Sequence, residues 1–180
     1  MKLNLGCNGI KLPGWINIDI DSNEGPDMVL DVTKTLPFPE DSISAIMASH
    51  IIEHMYTDDA EVCLKHWHDL LTSDGILYVS IPDLKKIARI FLLDPNPMQF
   101  AFVGVIYGGD NNTTFTNSTH TEHNRHKCGY IEESLKELVE KCGYKVGEEW
   151  NPRNMPEFDG LISASHAGWL SINWMLTKGN

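Results

Sequence analysis

The stretch Lys2-Leu-Asn-Leu-Gly-Cys-Asn-Gly9, followed by Trp15-Ile-Asn-Ile-Asp-Ile-Asp21, decides the fold of this chain. Its pattern predicts a short strand, a glycine-containing turn and a second strand that ends in acids. Gly6 and Gly9 permit backbone conformations that a Cβ would obstruct, so a ligand can approach the main chain closely there. A carboxylate at the end of the second strand could accept two hydrogen bonds from a ribose diol, as in proteins that bind nucleosides at the carboxyl ends of parallel strands.

The turn departs from the dinucleotide-binding fingerprint. It has no third glycine in register, and the acid follows sooner than the roughly 20 residues that the fingerprint expects. The chain also has no Gly-Lys-Ser/Thr sequence to hold phosphates. A nucleoside without a pyrophosphate would need neither feature, and S-adenosylmethionine is such a ligand. Taken alone, the turn also fits a connection with no ligand.

The composition indicates one acidic domain. At 180 residues, a single domain over residues 1–180 is expected. The net charge of -11 disfavours nucleic-acid backbones and anionic lipid as partners. The four cysteines are dispersed with no Cys-x-x-Cys pair, which suits free thiols in a reducing compartment. Because the sequence shows no signal peptide and no apolar run of membrane-spanning length, we expect a cytoplasmic protein.

Strand and helix patterns alternate along the rest of the chain. Short apolar runs predict five further strands, at Met28–Asp31, Ile43–Ser49, Ile76–Ile81, Tyr144–Trp150 and Leu170–Thr177. Apolar side chains at helical spacing predict helices that begin at Asp58, Asp83 and Glu132. The run Met98–Tyr107 is apolar without a clear period, and we favour a helix there. This alternation predicts an α/β domain with a mostly parallel sheet. The glycine turn, Asp19, Asp31 and His50 all lie at strand ends, where such a sheet binds its ligands.

Several motifs together resemble those of a known family. They are Leu3-Asn-Leu-Gly-Cys-Asn-Gly9, Pro13-Gly-Trp-Ile-Asn-Ile-Asp19, Leu36-Pro-Phe-Pro-Glu-Asp41, Ser49-His-Ile-Ile-Glu-His54, Leu71-Thr-Ser-Asp-Gly75, His126-Lys-Cys-Gly129, Glu133-Ser-Leu-Lys-Glu-Leu138 and Cys142-Gly-Tyr144. With these motifs in this order, the chain resembles the class I S-adenosylmethionine-dependent methyltransferases. More narrowly, it is similar to a small group related to the type 11 methyltransferases. The resemblance covers essentially the whole chain.

The resemblance implies a fold and a function. The fold would be one Rossmann-like domain with a seven-stranded, mostly parallel sheet whose last strand is antiparallel. The cofactor would be S-adenosylmethionine, and the acceptor a small molecule or saccharide-type compound methylated on oxygen or nitrogen. Asp19 would take the ribose hydroxyls and Asp31 the adenine amino group. Ser49 and His50 would lie beneath the sulfonium. The implied cofactor-binding residues are Gly6, Cys7, Asn8, Asp19, Ile20, Asp31, Val32, Ser49 and His50.

Alternatives remain for several of these residues. His54 and His126 are the candidates for a general base, which is needed only if the acceptor has a proton to lose. For Asp19 and Asp31 the alternative is a carboxylate that stabilises a turn. The run from His120 to Cys128, with the spacing H-x-x-H-x-x-H-x-C, matches no standard structural zinc pattern, so we expect no metal. A non-catalytic module that binds S-adenosylmethionine or a similar nucleoside is the alternative function, and a metal-dependent hydrolase is a third.

Two features depart from the family pattern. Asn8 stands where the family has its central glycine. The stretch Ile10–Gly14 is too short for the helix that usually joins the first two strands, because a full crossover takes at least about 10–12 residues. We therefore predict that the first crossover helix is shortened or missing. The uncovered sheet face, with Leu12 and Trp15, would be covered by the chain's own carboxyl-terminal segment or by a second subunit of a homodimer.

Overall fold

A seven-stranded sheet forms the centre of the structure, a computed structural model that describes residues 1–93, 106–108, 125–151, 154–155, 158 and 170–179. The strands are β1 (Lys2–Leu5), β2 (Ile16–Asp19), β3 (Met28–Val29), β4 (Ile43–Ser49), β5 (Leu71–Pro82), β6 (Tyr144–Glu149) and β7 (Ser171–Lys178). The helices are α1 (Thr57–Leu70), α2 (Leu84–Leu93) and α3 (Glu132–Lys141), with 3-10 turns at Ser22–Glu24 and Ile52–His54. None of the described helices is both long and apolar enough to cross a membrane.

The strand order is β3-β2-β1-β4-β5-β7-β6. Strands β1 to β5 pair in parallel, whereas β7 runs antiparallel to both β5 and β6. This confirms the predicted sheet, including its antiparallel last strand. The order reverses direction between β1 and β4, and ligands of such sheets bind at the carboxyl ends of strands at this kind of point.

One face of the sheet packs against α1 and α3. Helix α1 buries Trp67 completely, as its helical spacing predicts. The start of α1 differs by one residue from the predicted start at Asp58. The helix begins at Thr57 without a side-chain cap, and Asp58 lies in its first turn, where a carboxylate is favourable to the helix dipole. Strand β5 also begins earlier than predicted, at Leu71, directly after α1.

The other face of the sheet is covered by the chain itself. Residues 6–15, which connect β1 to β2, contain no helix, as predicted from their length. Leu12 and Trp15 are nevertheless only 1% and 6% exposed, because Trp150 and Phe158 pack with them against the sheet. The rings of Trp15 and Phe158 meet edge to face at 5.6 Å. Of the two predicted covers, the carboxyl-terminal segment is therefore the one that the structure contains, and burying these residues requires no second subunit.

A buried amide organises the connection between β1 and β2. The Asn17 Oδ1 accepts hydrogen bonds from the Leu12 backbone N–H at 2.8 Å and from Asn4 Nδ2 at 2.9 Å. Its Nδ2 donates to the Trp15 carbonyl at 3.1 Å and to Asp27 Oδ2 at 2.7 Å. Backbone groups that a helix would have paired are thus paired by one side chain, which satisfies the requirement that buried polar groups be hydrogen-bonded.

Some predictions concern residues outside the described ranges. The helix expected from Met98 is described only at residues 106 and 107, which are helical. His120 and His123, from the histidine run, also lie outside these ranges.

We predict that Phe158→Ala lowers the free energy of unfolding by about 3–5 kcal/mol, because it opens a cavity in the aromatic cover of the sheet. Urea denaturation would measure this loss. Val62→Ala, at a side chain that is 65% exposed, is the control and should change stability by less than about 0.5 kcal/mol. A loss for Phe158→Ala no larger than that of the control would contradict the intrachain cover.

A second prediction concerns Asp27. Hydrogen bonds from the Asn17 backbone, the Asn17 side chain and Lys11 lower the Asp27 pKa from 3.8 to about 2. A carboxylate whose pKa is lowered by folding stabilises the fold above its unfolded pKa, and this contribution is lost as the pH falls through the folded pKa. We therefore expect stability to fall more steeply between about pH 4 and about pH 2 in the wild type than in Asp27→Asn. Parallel curves of unfolding free energy against pH would contradict the assignment.

Candidate functional site

The turn after β1 adopts left-handed backbone conformations. Gly6, Asn8 and Gly9 have φ angles of 62°, 44° and 74°. Asparagine tolerates this region better than most side chains, so Asn8 replaces the family's central glycine without changing the sign of φ. The Cys7 N–H donates to the Ile18 carbonyl at 3.0 Å and ties the turn to the end of β2.

Gly6 is needed for space as well as for conformation. A Cβ built on Gly6 would lie 1.9 Å from Cδ1 of Ile51, the residue that follows His50 after β4. The turn after β1 is therefore packed directly against the segment after β4. This contact places the turn after β1 beside the segment that contains His50, at the switch point of the sheet.

Asp19 lies at the junction of this turn and β2. Its carboxylate is only 8% exposed and accepts backbone hydrogen bonds from Asn8 at 2.8 Å and from Asp21 at 2.9 Å. The turn-stabilising role considered from the sequence is thus present in the structure. Each carboxylate oxygen can accept a further hydrogen bond, so this role is compatible with a ribose diol as an additional donor. Ile20, the next residue, is 39% exposed.

Asp31 forms a turn at the end of the segment after β3. Its Oδ1 accepts from the Thr33 backbone N–H at 2.9 Å and from the Thr33 hydroxyl at 2.6 Å. This is the turn-stabilising alternative for Asp31, and it fixes the orientation of the carboxylate. An open surface cavity lies next to this turn, but no residue of the predicted site lines it; its lining residues are Thr33, Lys34, Thr35, Val62, Cys63 and His66.

Cys7 has the properties of a structural thiol. Burial, the largest influence on this group, raises its pKa, and the nearby Asp19 charge acts in the same direction. Since the thiolate is the nucleophilic form, a raised pKa makes Cys7 a poor nucleophile at neutral pH. This agrees with the backbone role that the family resemblance implies.

His50 is held in an unusual conformation at the end of β4, directly after the half-buried Ser49. It has a φ of 56°, and its backbone N–H donates to the Ser80 carbonyl at 2.8 Å. Its Nδ1 lies 2.9 Å from Glu53 Oε1, and its Nε2 lies 3.3 Å from the Ser171 hydroxyl. A non-glycine residue in this region costs on the order of 1–3 kcal/mol, and such residues cluster at functional sites.

Glu53 is the residue that sequence reasoning missed. Its side chain is 1% exposed, although Glu53 lies between the two predicted histidines in the motif that ends at His54. Burial by itself would raise the Glu53 pKa, but the neighbouring His50, His54 and His126 lower it overall. Glu53 therefore remains an ionised carboxylate inside the protein. Its position in the motif Ser49-His-Ile-Ile-Glu-His54 was the one feature of the sequence that indicated a functional role.

The two candidates for a general base lie side by side. The rings of His54 and His126 meet edge to face with centroids 4.7 Å apart. Burial lowers the His54 pKa despite the opposing influence of Glu53, so the ring is neutral at neutral pH, as a proton acceptor must be. Glu53, His54 and His126 place their ligand atoms within 4.8 Å of one another. Of the histidine run considered from the sequence, His126 is in this cluster, while Cys128 contacts the Thr57 hydroxyl at 3.1 Å.

Comparisons with known proteins agree with this fold. A family model described as a methyltransferase domain matches residues 17–79, from β2 into β5. A protein from Pyrococcus horikoshii aligns over 98% of this chain and 81% of its own, with a TM-score of 0.63 and 13% identity. The 1,6-didemethyltoxoflavin-N1-methyltransferase of Burkholderia thailandensis, solved with 1,6-didemethyltoxoflavin and S-adenosylhomocysteine, aligns over 99% of this chain and 71% of its own, with a TM-score of 0.57 and 12% identity.

A third solved structure, the [4+2]-cyclase SpnF, aligns over 99% of this chain and 74% of its own, with a TM-score of 0.56 and 14% identity. No curated protein matches the chain. The chain therefore has the Rossmann-like fold of the class I S-adenosylmethionine-dependent methyltransferases. The family match confirms the predicted resemblance to the type 11 methyltransferases over residues 17–79.

We predict that Gly6→Ala destabilises the protein more than Gly14→Ala does. Both glycines have positive φ angles, but a Cβ on Gly14 meets nothing within 4 Å. Gly14→Ala should therefore cost only the conformational penalty of about 1–2 kcal/mol. Gly6→Ala adds the clash with Ile51, and the double variant Gly6→Ala/Ile51→Ala should recover part of the loss. Thermal unfolding measures all three, and equal shifts for Gly6→Ala and Gly14→Ala would refute the packing argument.

Proposed function

We propose that this protein is a methyltransferase that uses S-adenosylmethionine to methylate an oxygen or nitrogen of a small-molecule or saccharide-type acceptor. The observation that carries the proposal is that the turn after β1, Asp19, Asp31 and His50 all follow parallel strands at one edge of the sheet, with the turn and His50 on the two sides of its switch point. The family match supports it, because residues 17–79 include Asp19, Asp31 and His50. The saccharide class of acceptor rests on the family resemblance.

The residues at this edge fit the proposed cofactor. Asp19 would accept hydrogen bonds from the ribose hydroxyls, and the backbone of the turn after β1 would contact the methionine part. Asp31 and the Val32 amide would face the adenine ring. Two acidic side chains lie at the turn, since Asp19 accepts from the Asn8 N–H and Glu24 Oε2 lies 3.0 Å from the position of a Cβ on Gly9. This negative charge suits a ligand that carries a positive sulfonium.

Methyl transfer requires that the acceptor atom be aligned with the methyl group and, for a hydroxyl acceptor, that a base take its proton. Bound S-adenosylmethionine would supply the methyl group of its sulfonium to the acceptor atom, with S-adenosylhomocysteine as the leaving group. Positioning of the acceptor supplies much of the rate of such a displacement. If the acceptor is a hydroxyl, His54 or His126 would take its proton, and the lowered pKa of His54 keeps that ring in the accepting form.

The alternative is a module that binds S-adenosylmethionine or a similar nucleoside without transferring its methyl group. The observation in its favour is that the fold does not require methyl transfer, since a [4+2]-cyclase shares it. Both functions need the cofactor site, and they differ in whether S-adenosylhomocysteine is produced.

We predict that Asp19→Asn weakens S-adenosylmethionine binding by at least about tenfold, because losing hydrogen bonds to a charged group costs about 1.5–3 kcal/mol. Asparagine keeps one oxygen for the Asn8 or Asp21 amide, so the fold should persist. Isothermal titration calorimetry measures the affinity, and Asp74→Asn, at an exposed acid in the amino-terminal part of β5, is the control. Unchanged affinity in Asp19→Asn would refute the ribose assignment. Formation of S-adenosylhomocysteine across a panel of acceptors then separates the enzyme from the binding module.

A further inference from the structure

We propose that Glu53, His54 and His126 form a binding site for a divalent transition-metal cation, with Zn²⁺ as its representative. Their ligand atoms lie within 4.8 Å of one another, although His126 is far from the other two residues in the sequence. A cation that bonds two donors at about 2.1 Å each can join atoms up to roughly 4.2 Å apart, so slight side-chain rotations would bring all three into range.

The first supporting observation is the state of the Glu53 carboxylate. Its side chain is 1% exposed, and neither oxygen receives a well-aligned hydrogen bond from any described residue. The Nδ1 of His50 lies 2.9 Å from Oε1, which leaves Oε2 without a comparable contact in the described part of the chain. An ionised carboxylate taken out of water is costly unless a positive charge compensates it. A cation bound beside Glu53 would add to the compensation that His50 provides on the Oε1 side.

The second observation is the orientation of His54. Its Nδ1 lies 3.2 Å from the Arg125 carbonyl oxygen, and because a carbonyl can only accept, Nδ1 must carry the proton. In a neutral imidazole the lone pair is then on Nε2. Histidines that bind metals commonly donate their other N–H to a carbonyl in this way, which fixes both the tautomer and the direction of the ring.

The third observation is that the main chain holds the two segments together. The Glu53 carbonyl accepts hydrogen bonds from the Lys127 N–H at 2.8 Å and the Cys128 N–H at 3.2 Å. The His126 N–H donates to the Tyr107 carbonyl at 3.1 Å. Backbone contacts on both sides of the cluster therefore position His126 against the 3-10 turn Ile52–His54, so the three donors do not depend on a loose surface loop.

The donor set selects the kind of cation. Two imidazoles and one carboxylate suit Zn²⁺ and other transition-metal ions, whereas Mg²⁺ and Ca²⁺ prefer oxygen ligands. Three protein ligands leave a coordination position open, as in catalytic zinc sites. If the proposed function holds, an acceptor oxygen could occupy that position and lose its proton more easily. A metal-bound His54 or His126 could not then act as the base, so the two roles exclude each other.

The test is calorimetric titration of the full-length, tag-free protein with Zn²⁺ after treatment with a chelator. We expect one ion per chain with micromolar or tighter affinity. His54→Ala and His126→Ala, both at half-buried side chains, should each weaken binding by at least roughly tenfold, because even partners outside the ligand set change metal affinity by about 10–100-fold. Circular dichroism would verify that each variant folds.

His68→Ala is the matched control. His68 also lies beside an acid, with Nδ1 3.5 Å from Asp69 Oδ1, but that pair does not belong to a group of three ligand side chains among the described residues. This variant should bind Zn²⁺ like the wild type. No Zn²⁺ binding by the wild type would overturn the proposal. Unchanged Zn²⁺ binding in His54→Ala, together with loss of Zn²⁺ binding in His120→Ala or His123→Ala, would also overturn the proposal. The cation would then be bound by the histidine run His120–Cys128.

The result separates this inference from the proposed function. Zn²⁺ binding is measured without S-adenosylmethionine, and S-adenosylmethionine binding is measured on the chelated protein. If the protein binds S-adenosylmethionine but not Zn²⁺, only the cation site is rejected. If it binds Zn²⁺ but not S-adenosylmethionine, the methyltransferase proposal is rejected and the cation site stands.

Discussion

The structure depends on how a short connection returns the chain from β1 to a parallel β2 without a helix. The buried Asn17 amide makes this possible, because it pairs with the backbone of Leu12 and Trp15 and with the Asn4 and Asp27 side chains. A connection without such an amide would leave backbone donors and acceptors buried and unpaired. The same side chain therefore stabilises the connection that precedes β2 and links β2 to Asn4 in β1 and to Asp27.

The missing crossover helix affects the packing of one face of the sheet. Without a crossover helix, the sheet needs another apolar cover on that face, and an aromatic cluster of Trp15, Tyr78, Trp150 and Phe158 provides it. The edge-to-face geometry of these rings, with Tyr78 and Phe158 at 5.1 Å, is the arrangement that aromatic quadrupoles favour. The amino-terminal turn and the carboxyl-terminal segment are thus coupled through the core.

Two carboxylates of the candidate site, those of Asp19 and Glu53, have opposite surroundings. Asp19 sits at the sheet edge, where backbone N–H groups hold it and a polar ligand can add further donors. Glu53 is buried behind the end of β4 among three histidines, and these lower its pKa against the effect of burial. The first arrangement suits recognition of a sugar diol, and the second suits a positive charge. Because one fold supports several activities, these sites rather than the sheet must support any statement about function.

The sequence by itself determined the sheet, its parallel pairing, the glycine turn, the missing crossover helix and the acids at the strand ends, because strand and helix periodicity and the length of a connection are local properties. It could not identify Phe158 as the cover of the sheet or Glu53 as a buried carboxylate beside His126. Those facts depend on segments far apart in the chain that meet only when the sheet is assembled. The residue type at Glu53 predicts an exposed side chain, because glutamate is rarely buried without a partner. The tertiary structure therefore decided which polar residues lie inside and which of them lie together.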